Sequence, residues 1–193
     1  MPPTDALIAP RTALRLHIGC GTRLLPGWIN IDQVARVPGV VTGIELTALP
    51  YPDGSVDEIL AEHILEHLSF AEEAQAWPEL ARVLRAGGSL TLEVPDFEWV
   101  CATFLHAEDE WRDFYIVGHA NHYAGCGRAL NQRWGILQTM FFGNQNGPGQ
   151  FHHSAYTEGK IRALARRTGF AVQSLTRPFS KGGQALRATL IRG

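Results

Sequence analysis

LRLHIGCGTRLLPGWINID, residues 14–32, decides how this chain folds. Leu14, Leu16 and Ile18 form the apolar side of a buried strand, and Gly19 and Gly21 give a turn tight enough for backbone amides to approach a ligand. A second strand then runs into Asp32. In a doubly wound sheet, a carboxylate at that point accepts hydrogen bonds from both hydroxyls of a ribose, while the first turn holds the charged remainder of a nucleotide-type cofactor. On this reading Asp32 serves the ligand, and folding should largely survive its removal.

The segment departs from the dinucleotide fingerprint. Leu24 stands where a third Gly or Ala is needed, and Asp32 comes too early for the acid expected about 20 residues on. Pro26 and Gly27 interrupt any helix that starts after Gly21, so a crossover helix offering its N-terminus to a pyrophosphate is not expected. A cofactor without phosphates fits better.

Outward from this segment the pattern alternates. It predicts strands near 14–19, 28–32, 40–45, 56–61, 89–94, 170–176 and 185–192, and helices near 63–76, 78–86 and 156–168. Pro78 is read as the first residue of a helix, Gly87-Gly88 as that helix's end, and Gly169 as a C-cap. The last strand follows a Lys181-Gly182-Gly183 turn as one arm of a hairpin. The fold class is α/β, a doubly wound Rossmann-like sheet in a single domain over residues 1–193.

HIGCG, the acid of NID, ELTALPYPDGSVDEI, HILEHL and ARVLRAGGSLTLEVPD, in that order, resemble class I S-adenosylmethionine-dependent methyltransferases, most of all the small type 11 branch. The resemblance covers residues 14–96 and implies the seven-stranded sheet of that class. It places Gly19, Cys20 and Gly21 against the methionine part of S-adenosyl-L-methionine, Asp32 on the ribose, and Glu45, with Leu46 beside it, at the adenine. His17 stands where many members have an acid that reaches the cofactor's amino group through water. Most of the first helix is also missing, which leaves the mouth of the site more open than usual or dependent on another segment for cover.

Composition agrees with a soluble enzyme. Hydrophobic residues make up 45%, and a formal charge of -2 gives no broad basic surface, which argues against nucleic acid as a partner. RALARR at 162–167 reads as the solvated face of a helix. Cys20, Cys101 and Cys126 have neither metal-ligand nor disulfide spacing, and no run of 18 apolar residues or signal-peptide core is present. A cytoplasmic protein with no membrane association is expected.

Residues 97–153 hold most of the aromatics, among them Phe97, Trp99, Phe104, Trp111, Phe114, Tyr115, Tyr123, Trp134, Phe141, Phe142 and Phe151. So long a segment should form two or three helices. Leaving from the carboxyl end of the fifth strand, it reads as a cap over a small acceptor, with two or three aromatics facing the pocket. Gly143, Gly147 and Gly149 would hinge its glycine-rich exit as a lid.

Methyl transfer asks the protein mainly to align the acceptor and, for some acceptors, to remove a proton. Glu62 and His63, after the fourth strand, and His153, near the later helix with His152 and Tyr156, are the candidate catalytic residues. His63, Glu66 and His67 lie at helical spacing, and His152 or His153 would complete a metal site resembling the ExxEH string of some metal-assisted methyltransferases; with His63 in place of their Glu, no metal is assigned. His119 and His122 are a weaker pair. The leading function is a methyltransferase acting on a small molecule. The alternatives are a non-catalytic cofactor-binding module and a nicotinamide-dependent oxidoreductase, the latter disfavoured by Leu24 and the early Asp32.

Overall fold

A computed structural model describes residues 12–106, 139–145, 147, 149–181 and 183–193. Eight strands form one sheet: β1 Arg15–Ile18, β2 Ile29–Ile31, β3 Val40–Val41, β4 Val56–Glu62, β5 Leu84–Pro95, β6 Phe170–Thr176, β7 Phe179–Ser180 and β8 Gly183–Arg192. Their order is β3-β2-β1-β4-β5-β8-β6, with β7 paired to β8 alone. Neighbours from β3 to β5 are parallel, and β8 runs antiparallel to β5, β6 and β7. β1 is therefore central, which is why its apolar residues are all covered: Leu16 and Ile18 sit in the core with Ile59, Leu90 and Leu92 of the strands beyond. The hairpin expected at Lys181 is present as the Ser180↔Gly183 pair, and the eighth strand, β7, is one arm of it.

Three helices are described. α1 spans Phe70–Val83, α2 Phe97–His106 and α3 Glu158–Arg167. α1 corrects the sequence reading in three places. Residues 63–69 do not join it: Leu65–His67 is a 3-10 turn, and Ser69 begins α1 with a full capping box in which its side chain accepts from Glu72 N and Glu72 reaches back to Ser69 N. Pro78 does not start a helix but lies inside α1. The break it would impose is overridden because Ala76, Trp77, Leu80, Ala81 and Val83 on both sides of it are buried against the sheet, and one unbroken helix is the way to bury them all. The helix ends at Val83, and Gly87-Gly88 belongs to β5, where an added Cβ on Gly88 would lie 2.9 Å from Arg85 O. β3 is also shorter than expected, because Gly43 turns away at φ 77.

Several motif residues turn out to be fasteners. Arg82 donates to the carbonyls of Leu49 and Tyr51 and to Asp53 and Glu79, while Glu79 accepts from Leu49 N at 2.7 Å. The LPYPDGS loop is thereby tied to the RVL end of α1. Asp57 accepts from Leu14 N at 2.7 Å and from Arg85 at 2.7 Å, fixing the entry to β1.

Of the aromatic segment, α2 and the helical residues 139–142 are described. Trp111, Phe114, Tyr115, Tyr123, Trp134, the pair His119 and His122, and Cys126 lie outside the described residues. Phe141 packs edge-on against Phe97 at 5.5 Å and Phe104 at 6.0 Å, so the described aromatics pack α2 against residues 139–142. No helix among the described residues is long and apolar enough to cross a membrane.

Candidate active site

A cleft of about 550 Å³ opens at the carboxyl ends of β1, β2 and β4, where ligands of open α/β sheets bind. Gly19 and Gly21 form its floor with left-handed backbones of φ 69 and φ 54, and the turn is closed by Cys20 N donating to Ile31 O at 3.1 Å. The two glycines differ. A Cβ on Gly19 would meet Ile64 Cβ at 3.0 Å, whereas one on Gly21 would meet nothing within 4 Å and would project into open space. Asp32, Glu45 and Leu46 line the same end of the cleft, and Ile18 and Ile31 add apolar wall. Cys20 itself is buried beneath the turn and is not part of the lining.

Asp32 has a second task that the sequence does not reveal. One carboxylate oxygen accepts from Gly21 N at 2.8 Å; the other accepts from Val34 N and Ala35 N, each at 2.8 Å. Burial alone would raise its pKa, but the amides of Ala35, Val34 and Gly21, with Arg36 nearby, hold the carboxyl below its ordinary value. Asp32 thus stays ionised and joins the glycine turn to the segment after β2. Glu45 accepts from Gln33 Nε2 at 2.7 Å, which ties the far wall to the same segment.

His17 is a core residue, only 2% exposed, and it stays outside the cleft lining. Burial lowers its pKa, and Nδ1 pairs with Asn30 Oδ1 at 3.2 Å. Asn30 in turn accepts from Leu25 N at 2.9 Å and donates to the carbonyls of Leu25 and Trp28, each at 3.2 Å. These bonds shape residues 21–28 into the loop that replaces the first helix. The cleft is covered instead from the other end of the chain. Asn144, Gly149, Gln150, His152 and His153 line it, and Gly149 comes within 3.6 Å of Val34 at its Cβ position. This exit segment is closed on itself by a Gly143↔Phe151 bridge, and a side chain on Gly143 would overlap Gln150 O. Of the described aromatics of the cap, none lines the cleft; Phe97 and Phe141 line a separate small cavity beneath it.

The three candidate catalytic residues have different fates. Glu62 is bound by Arg187 at 2.6 Å and by Arg23, which together outweigh burial and keep it below its usual carboxylate range, and it does not line the cleft. His63 does line it, with a left-handed backbone of φ 54. Its ring sits between Glu66, 3.3 Å from Nδ1, and Glu93, 3.1 Å from Nε2. Burial would lower its pKa, but the two carboxylates outweigh it and raise it, so His63 holds its proton more tightly than an ordinary histidine. His153 lines the cleft and is exposed, and its backbone N–H donates to Glu66 O at 2.8 Å.

Sequence spacing groups His63 with Glu66 and His67 on one helical face. The structure has no α-helix there, and it brings together Glu66, His67 and His152, whose ligand-type atoms all lie within 4.8 Å of one another. The His67 and His152 rings meet edge to face at 4.7 Å.

The order β3-β2-β1-β4-β5-β8-β6 with an antiparallel β8, and a glycine-turn cleft closed by an acid after β2, define the class I methyltransferase architecture. Residues 31–92 match the family described as a methyltransferase domain. Solved structures similar to the chain include the 1,6-didemethyltoxoflavin-N1-methyltransferase of Burkholderia thailandensis, with 1,6-didemethyltoxoflavin and S-adenosylhomocysteine bound, at TM-score 0.59, 19% identity, and coverage of 94% of this chain and 72% of that one. The magnesium protoporphyrin IX methyltransferase of Synechocystis, with S-adenosylhomocysteine bound, aligns at TM-score 0.56 and 12% identity over 94% of this chain and 74% of that one. A curated relative, an uncharacterized 37.1 kDa protein in transposon TN4556 of Streptomyces fradiae, is 41% identical over 139 residues, 55% of this chain; the chain spans 40% of its length. These likenesses give the chain the fold of class I methyltransferases, and residues 31–92 match the methyltransferase-domain family.

Proposed function

We propose that this chain is an S-adenosyl-L-methionine-dependent methyltransferase acting on a small-molecule acceptor. The observation that carries the reading is the pairing of Gly21 with Asp32: a glycine whose Cβ position is open to the cleft, beside a carboxylate held ionised at its rim. Both fit the group. The missing side chain leaves room for the methionine end, and the Asp32 oxygen that accepts only from Gly21 N keeps acceptor capacity for a ribose hydroxyl. Ile31 and Leu46 offer apolar wall for an adenine, with Glu45 at the edge.

When bound, the cofactor supplies an activated methyl group that needs no further activation. The chain's own work is to orient the acceptor and exclude water. Gly149, Gln150, His152 and His153 roof the acceptor end beside His63 and His67. His63, its ring held between Glu66 and Glu93, which raise its pKa, serves as a fixed polar wall of the acceptor end. His153, exposed in the lining, is the better candidate to take a proton from a hydroxyl or amine. The small-molecule reading draws support from the absence of a broad basic surface at net charge -2 and from the confined volume of about 550 Å³.

The test has two stages. Calorimetry with S-adenosylhomocysteine should show binding, and NAD should show none. Turnover is then followed with a radiolabelled methyl donor and a panel of phenolic, amine and carboxylate acceptors. Binding without turnover on any acceptor would favour the non-catalytic module; binding of NAD in preference would overturn the reading.

A further inference from the structure

We propose that Glu66, His67 and His152 form a binding site for a divalent first-row transition metal ion at the acceptor end of the cleft. Four observations converge on it. Glu66 is 1% exposed, yet neither of its carboxylate oxygens has a hydrogen-bond partner among the described residues, and it lines the cleft. The nearby His63 Nδ1, at 3.3 Å, is an ion-pair neighbour without hydrogen-bond alignment. A buried carboxylate left so is costly unless something else coordinates it.

Each of the two histidines is fixed by its other nitrogen. His67 Nδ1 lies 2.9 Å from Phe151 O, and His152 Nδ1 lies 3.0 Å from Met140 O. A carbonyl can only accept, so each Nδ1 carries the proton and each Nε2 presents a lone pair. That is the arrangement by which outer hydrogen bonds set metal-ligating imidazoles. The two halves of the site are also stitched together: Glu66 O accepts from His153 N at 2.8 Å and Ser154 N at 3.0 Å, which holds the His152 strand against the 3-10 turn. Finally, the ligand-type atoms already lie within 4.8 Å of one another.

Two imidazoles and one carboxylate select zinc, cobalt, manganese or iron over calcium or magnesium. Three protein ligands leave coordination positions open toward the cleft, where an acceptor oxygen would bind and be polarised. That role rests on the methyl-transfer reading; the metal site itself does not.

The experiment uses the full chain without a histidine tag, stripped with a chelator and titrated with Co(II) and with Zn(II) by calorimetry. Co(II) binding is also followed by its visible d–d absorption. One equivalent should bind. Glu66→Gln and His152→Ala should each weaken it by at least about 100-fold, since loss of even an outer hydrogen bond costs roughly 10- to 100-fold, whereas His153→Ala should leave it within about twofold. Zn(II) should also raise the melting temperature of the wild type and not of Glu66→Gln, which keeps the shape of the side chain. Absence of stoichiometric Co(II) and Zn(II) binding in the wild type, or equal affinity in Glu66→Gln and His152→Ala, would overturn the site. S-adenosylhomocysteine affinity, measured on the same metal-free samples, reports separately on the cofactor reading.

Discussion

Removing the Asp32 carboxylate should damage the fold as well as the cofactor end of the cleft. Asp32→Ala breaks three charge-assisted bonds, to the amides of Gly21, Val34 and Ala35, each 2.8 Å long. A buried bond of this type contributes about 1.5–3 kcal/mol. Val34 is exposed and Asp32 only half-buried, so the orphaned amides regain water, and about 1 kcal/mol each, or about 3 kcal/mol in total, is the appropriate figure. For a chain of this size that corresponds to a fall in melting temperature of about 6–12 °C. Asp32→Asn keeps an acceptor for one of the two sets of amides and should fall by about half as much. The assay is thermal unfolding by circular dichroism, paired with calorimetry of S-adenosylhomocysteine. A melting temperature for Asp32→Ala within about 2 °C of wild type would refute the structural role. A large fall with unaltered ligand affinity would keep that role and remove Asp32 from the ribose.

The two turn glycines should separate. Gly19→Ala combines φ 69 with a Cβ 3.0 Å from Ile64 Cβ and should cost about 2–3 kcal/mol in urea unfolding; Gly21→Ala, at φ 54 with open space beyond, should cost about 1 kcal/mol yet obstruct ligand binding more severely. Ser69→Ala removes half of the capping box of α1 and should lower stability in urea unfolding by about 1 kcal/mol. Glu93 is held down at about 2 by His63, Ser180 and Arg187. A depressed carboxylate contributes stability above its unfolded pKa and loses it as pH falls through the folded one, so wild type should lose about 2 kcal/mol more than Glu93→Gln between about pH 6 and pH 3 in denaturant titrations. Parallel pH slopes in the two proteins would contradict this.

The sheet and the place of the cleft beside Gly19, Gly21 and Asp32 were legible in the sequence. Leu16 and Ile18 have an apolar pattern that only a covered central strand satisfies, and β1 proved central. Gly19 and Gly21 mark positive φ in the sequence itself, because other residues rarely adopt it. The same holds for Gly169, at φ 78 after α3. Local rules also contained the signal for the start of α1: Ser69-Phe70-Ala71-Glu72 is a capping-box string, and it outranked Pro78 as a marker. The relations between distant residues came from packing alone. His17 stands in sequence where similar proteins have a cofactor-contacting acid, and in space it is a buried partner of Asn30. Glu62 and His63 are adjacent in the chain, but β4 sends one to Arg187 and Arg23 and the other between Glu66 and Glu93. Glu66 and His152 stand far apart in sequence and share one cluster, because backbone bonds from residues 153 and 154 to Glu66 O close the distance. Periodicity and turn chemistry act over a few residues and are written locally; the protonation and partners of a side chain depend on which charges the packed chain brings within a few ångströms, and no local pattern encodes that.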